Sequence, residues 1–260
     1  MAQLVKIQDY VSRYEKNLYH YQSLFMRIKE NRWKEFLQVN EEKKNKSLKK
    51  DFRKQLFHHQ VKWVSSTVKE ISNFQPKYMK SKALHFLTEE IPDNYFLFYE
   101  PVLLVKGAPI ELDIILVGPA SVWLIVWMDG EGIWNECENK RFWKNIDPEH
   151  IQTKLSPVVR LERMSHIIGE WVQPFQQQLT LRQAIIAPEA FIDLPNDWRK
   201  LTCIDKRTFK GWKTQVNHEP APVKSQQLKC VSAILENGLT NSLYRKDPLT
   251  KESEVSFEGI

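Results

Sequence analysis

Residues 1–75 contain neither glycine nor proline; the first proline is Pro76 and the first glycine Gly107. Nothing in that stretch interrupts a helix by backbone chemistry alone. Cysteine is also sparse: Cys137, Cys203 and Cys230 stand far apart with no C-x-x-C spacing. That usage suits a reducing, cytoplasmic setting and supplies no metal-ligand pattern. No run of 18 or more apolar residues occurs, so no membrane span is expected, and the region after Met1 lacks the basic–apolar–small pattern of a leader. Glycine-rich phosphate loops, a nucleophile elbow and a Cys/His dyad are missing too. Neither internal repeats nor low-complexity tracts are found.

What remains is a chain of 260 residues, 42% hydrophobic and with nine tryptophans, enough for a packed core. One domain with a substantial extension is the natural division. The net charge of +6 is unevenly spread. Residues 1–80 hold 18 Lys+Arg against 8 Asp+Glu, or +10; the other 20 basic and 24 acidic residues give −4. A basic arm is thus attached to a mildly acidic body. Within the arm, Leu4, Ile7, Val11, Tyr14, Leu18, Tyr21, Phe25 and Ile28 alternate spacings of three and four. Phe57, Val61, Val64, Val68 and Ile71 repeat that seam. The pattern predicts an αα hairpin over 1–75 with a charged tip at 40–54; a single bent helix or a dimeric coiled coil also satisfies it.

Pro76 reads as a boundary, followed by a short helix over Ser81–Glu90. Three strands are expected next: Phe96 to Val105, Ile110 to Val117 and Val122 to Met128, separated by turns at Lys106–Pro109 and Gly118–Ser121. The second carries Glu111 and Asp113, which would share one face of a continuous strand. Ile133–Trp134 and Arg141–Trp143 suggest an excursion or a fourth strand. A helix over Pro157–Val172, strands at Leu181–Ala187 and Leu201–Asp205, and a helix over Val223–Glu236 complete the reading, with a loose polar tail beyond Thr240.

The stretch around the two acids resembles the nuclease-related domain (NERD), a bacterial relative of the PD-(D/E)XK restriction-endonuclease fold. That family's pattern runs roughly E-I-D-H, a hydrophobic run, P-x-G, a hydrophobic run, E-V-K-x-x-x-G. Here it stands as Glu111-Leu112-Asp113-Ile114, then Pro119, Val122 to Ile125, Val126-Trp127-Met128 and Gly132. The resemblance covers about residues 77–215. It implies a restriction-endonuclease-like α/β fold, a mixed sheet flanked by helices, with the N-terminal hairpin or coiled coil as an extension. In an active member the E-x-K acid would help hold a divalent metal and the lysine would steady the attacked phosphodiester. Those positions are Val126 and Met128, which can do neither. A Gly-Glu pair of the family corresponds to Ser81-Lys82, and an N-P-x-x-Q signature to Ser156-Pro157-Val158-Val159-Arg160.

The domains expected are therefore 1–75, a basic helical extension; 77–215, the nuclease-like body; 216–239, a linker and helix; and 240–260, the tail. Glu111 and Asp113 are relic candidates for a Mg²⁺ site, or carboxylates satisfied by hydrogen bonds in a relic pocket. A rewired site would recruit Lys82, with Asp129 or Glu131; Asp129-Gly130-Glu131-Gly132 most simply reads as a turn. Lys43, Lys44, Lys46, Lys49, Lys50, Arg53 and Lys54 form either a phosphate-contacting surface or a solvated helix tip. His58 and His59 point about 100° apart on a helix and cannot easily share an ion. Trp123, Trp127 and Trp134 read as core before they read as base-stacking platforms. The function expected is a non-catalytic pseudo-nuclease associated with DNA or RNA. The alternatives are a scaffold or homodimer using the helical arm, and a divergent metal nuclease. No cofactor is expected outside the last case.

Overall fold

The computed structural model describes residues 1–39, 46–147, 151–193, 201–219 and 222–245. The chain runs β1 (Gln3–Ile7), α1 (Arg13–Lys16), α2 (Leu18–Val39), α3 (Lys46–Trp63), β2 (Glu70–Ile71) and α4 (Lys82–Glu89). Then come β3 (Phe96–Tyr99), β4 (Val102–Val105), β5 (Ala108–Glu111), β6 (Ile114–Val117) and β7 (Ser121–Trp127). A second group follows: β8 (Ile133–Glu136), β9 (Phe142–Ile146), β10 (Ile151–Leu155) and α5 (Pro157–Val172). The chain continues through β11 (Thr180–Ala187), β12 (Phe191–Asp193), β13 (Thr202–Asp205), α6 (Phe209–Asn217), α7 (Ser225–Glu236) and β14 (Leu243–Tyr244).

The central sheet is mixed, in the order β1-β3-β6-β7-β11-β13. β3, β6 and β7 are antiparallel neighbours; β1 joins β3, and β11 and β13 follow β7, all in parallel. The sequences of β6 (IILV) and β7 (SVWLIVW) explain why they lie inside: they are apolar on both faces, as a strand covered on both sides must be. Each fully buried Leu, Ile or Val there contributes about 1.5–3 kcal/mol. Side chains sort the helices into two layers. Trp123 and Trp127 of β7 meet Trp212 and Phe209 of α6 and Phe86 of α4. On the opposite face, Gly169 of α5 comes close to Leu181, whose partner in the ladder is Val122. The β6–β7 turn needs Gly118, because an added Cβ would lie 2.3 Å from the Tyr95 ring.

The N-terminal region departs from its expected form. Leu4 and Ile7 are not helical; they lie in β1, fully buried at the edge of the central sheet. The αα hairpin is formed by α2 and α3 alone, with Tyr21 and Phe25 against Trp63 at one end and Trp33 and Phe36 against Phe52 at the other. The seam is therefore filled within one chain. Val68 and Ile71 fall outside it, because α3 stops at Trp63, where the Ser65 and Ser66 hydroxyls donate back to the carbonyls of Val61 and Lys62. Residues 1–75 do not form a separate extension: α3 packs on α4, with Phe57 4.0 Å from His85 between ring centroids.

Two expected strands are broken. Glu100-Pro101 separates β3 from β4, with Glu100 at φ +48°, and Leu112-Asp113 separates β5 from β6. The β4–β5 hairpin turns at Lys106-Gly107, both with positive φ, as a primed turn requires. The expected tail is tied down as far as Arg245: Asn241 N–H donates to Asp9, and β14 pairs with β2. Residues 246–260 lie outside the described residues. β8, β9 and β10, joined by β12, build a second sheet, β10-β9-β8-β12, around the buried Trp134 and Trp143. No helix among the described residues is long and apolar enough to cross a membrane.

Candidate functional site

The break at Leu112-Asp113 sets the geometry of the acids. Asp113 stands one residue before β6, whose register pairs Ile114 with Ile125. Extending that ladder by one residue puts Asp113 opposite Val126, on the face that α5 covers. Arg160, in the first turn of α5, clamps Asp113 with both ends of its fork: Nε to Oδ2 at 3.1 Å and Nη2 to Oδ1. One turn on, Arg163 donates to the Glu111 carbonyl at 2.8 Å. Asp113 is buried, and burial raises its carboxyl above the ordinary range, with Arg160 and then Arg163 acting against that shift.

These residues line a groove of about 710 Å³ that also takes in Lys77, Glu100 and Glu111. The Glu111 carboxylate accepts from Gln8 at 3.3 Å, and Glu100 accepts from the Tyr78 hydroxyl at 3.1 Å. Burial raises the Glu100 carboxyl, Tyr78 and Lys77 opposing it. The set does not fit a divalent cation. Both oxygens of Asp113 already face a guanidinium, Val126 offers nothing beside them, and no group of three acidic, His or Cys side chains converges among the described residues.

Lys82 is not part of this groove. Its ammonium meets both oxygens of Glu189 at 3.0 Å, and the other acids that bear on it are Asp129 and Glu131. It lines a separate pocket of about 190 Å³ with Phe86, Trp127, Met128, Asp129 and Phe209. The rewired site of Lys82, Glu111 and Asp113 is therefore not assembled, because the helix that carries Lys82 covers the opposite face of the sheet. Trp123 and Trp134 are buried core; Trp127 is half-buried, its indole donating to Asp129 at 3.1 Å.

Of the basic tract, Lys43 and Lys44 lie outside the described residues, and Lys46 is the first residue of α3. Lys49, Lys50 and Lys54 are exposed on its first turns. Arg53 is committed elsewhere, bonded to Glu90 at 2.6 Å, a carboxylate it shares with Lys213. The two histidines diverge: His58 Nδ1 donates to the Lys54 carbonyl, whereas the His59 ring lies tilted against Trp63, with 5.1 Å between ring centroids. Sequence reasoning missed Arg160 as the partner of Asp113; the signal was its place at the end of Ser156-Pro157-x-x-Arg160, one helical turn inside a proline-started helix.

Comparison with family models, with curated proteins and with solved structures gave no match.

Proposed function

We propose that this chain is a non-catalytic, nuclease-like protein, a pseudo-nuclease, that associates with nucleic acid through the exposed lysines of α3. A mixed sheet flanked by helices is compatible with the restriction-endonuclease-like class that the resemblance implies. The observation that carries the non-catalytic half is the Arg160 clamp on Asp113. A cation held inside the protein replaces the metal the resemblance would put there, and Val126 and Met128 remove the second acid and the lysine. Phosphate attraction to Lys49, Lys50 and Lys54 needs no base contact and predicts binding without sequence preference.

Purified protein should leave DNA and RNA intact in Mg²⁺ or Mn²⁺, and Met128→Lys should not change that, because position 126 still lacks a carboxylate. Cleavage that disappears with Asp113→Ala would overturn this reading in favour of a divergent nuclease. A second reading, a protein-interaction scaffold using the helical arm, rests on the groove of about 540 Å³ between α2 and α3, lined by Phe36, Val39, Phe52 and Leu56. The scaffold predicts negligible binding of DNA or RNA near physiological salt, and fluorescence anisotropy separates the two.

A further inference from the structure

The β10-β9-β8-β12 sheet does not follow the central sheet, whose two faces are both covered. Along β9 burial alternates: Trp143 and Asn145 lie inside, while Phe142, Lys144 and Ile146 lie outside. Residues directly opposite one another in a sheet share a face. The register therefore carries the outer face across four strands: Phe191 beside Ile133, Ile133 beside Ile146, Ile146 beside Ile151, and Phe142 beside Leu155. These six are 39, 42, 44, 74, 37 and 40% exposed for Phe191, Ile133, Ile146, Ile151, Phe142 and Leu155. A strand with one solvated face normally puts polar residues there. Here only the middle row is polar: Asp193, Asn135, Lys144 and Thr153, in that order across the sheet.

We propose that this face is a homodimer interface, in which two copies stack sheet on sheet about a twofold axis running along β8. Self-complementarity selects a second copy. Asp193 and Lys144 flank Asn135 one strand away on either side, about 9.5 Å apart at twice the strand spacing. An axis over Asn135 reverses the strand order of the other copy. It sets Asp193 over the partner's Lys144, and Lys144 over the partner's Asp193, with the apolar rows in register. This axis leaves β10 outboard of the partner's sheet, so Phe191, Ile133, Ile146 and Phe142 are the apolar residues it covers. Their exposures add up to about 1.6 whole side chains, which at ~200 Å² for a large residue gives roughly 320 Å² per copy. Two copies remove about 650 Å², the size of a weak, concentration-dependent interface. Lys206 and Arg207, 5.9 and 5.6 Å from the Phe191 ring centre, supply a polar rim.

Sedimentation and light scattering on the full chain should give a mass that rises with concentration and approaches twice the chain mass by ~100 µM. Ile146→Asp puts two carboxylates into the stack and should raise the dissociation constant about 100-fold or more, with the far-ultraviolet circular dichroism unchanged. Lys144→Asp or Asp193→Lys alone should weaken the dimer about tenfold, and the two together should restore it, because each reversed pair is formed across the axis. A folded wild-type chain that stays monomeric at ~100 µM overturns the proposal. So does a dimer indifferent to Ile146→Asp, or one that the doubly reversed variant fails to restore.

Discussion

Two ammonium–carboxylate pairs sit at opposite ends of the burial range. Lys6 and Glu15 keep 1% and 16% of their side chains exposed; Lys82 and Glu189 keep 73% and 46%. Lys6 rises from the edge strand β1 and donates to the Tyr10 carbonyl at 2.8 Å, to Thr240 at 2.9 Å and to Glu15, so that it ties the start of the chain to residue 240. Burial pulls its pKa down and Glu15 resists; for Lys82 the carboxylate of Glu189 raises it instead. The chemistry is the same, but water decides what each pair does. An exposed pair exchanges one well-solvated partner for another, whereas a buried one leaves a stranded charge if either member is removed. Arg160–Asp113 lies between them, at 29% and 11% exposed.

Stability should follow that order. Lys6→Ala should cost about 3–5 kcal/mol, since Glu15 and the Tyr10 carbonyl lose a partner they cannot replace from solvent. For a chain of this size that is a fall in Tm of roughly 10 °C or more. Arg160→Ala should cost about 2–3 kcal/mol, less than a fully buried pair because the guanidinium is partly solvated, and adding Asp113→Asn should recover part of it. Lys82→Ala should leave Tm unchanged. Urea titrations of the three variants check the series, and a Lys82→Ala loss equal to that of Arg160→Ala would break the comparison.

The same contrast explains what the sequence made legible. α5, β7, β11 and α7 were readable because each signals locally: Leu161, Met164 and Ile168 recur at helical spacing and are all buried. β1 was not, since Leu4 and Ile7 fit a heptad seam as well as they fit a strand, and the choice is made by β3, some 90 residues away. Nor could Lys6 be told from the basic arm around it, because its partner Thr240 lies 234 positions on. Glu111 and Asp113 were located, but the break between their strands depends on the β4–β5 hairpin folding away. The outer face of the small sheet was hidden because Ile133, Phe142 and Ile151 look like any core positions until their strands are paired.

A smaller effect should appear with pH at the adjacent histidines. His59 is half-buried against Trp63, its Nε2 has no hydrogen-bond partner, and burial followed by Arg32, Arg13 and Lys62 lowers its pKa from 6.5 to about 4. Between those two values the unfolded chain binds a proton that the folded chain refuses. The contribution is therefore complete above pH 6.5 and is lost as pH falls towards 4. His59→Phe keeps the ring on Trp63 and removes the titration, so its stability should fall less steeply across that window. Glu90 and Asp205, whose carboxyls burial raises but Lys213 with Arg53 and Arg207 respectively bring below the ordinary value, act in the same direction but below the ordinary carboxylate range. Equal slopes for wild type and His59→Phe would show that His59 is solvated.

The least costly substitutions for the fold are the most informative for function. Lys49, Lys50 and Lys54 are exposed, so replacing all three with alanine should change stability by no more than about 0.5 kcal/mol each. If they meet phosphates, each contributes a slope of about −0.9 in log K against log salt for duplex DNA, or about −0.7 for single strands. The triple variant should then flatten the salt dependence by roughly two to three units, equally for unrelated sequences. Arg53 is the internal control. It carries the same charge on the same helix, but Glu90 already holds it at 2.6 Å, so Arg53→Ala should lower Tm and leave the slope alone. A slope that responds to Arg53 and not to the lysines would place the nucleic acid on the α4 side of the hairpin. A slope that responds to neither would detach binding from α3 and leave the scaffold reading ahead.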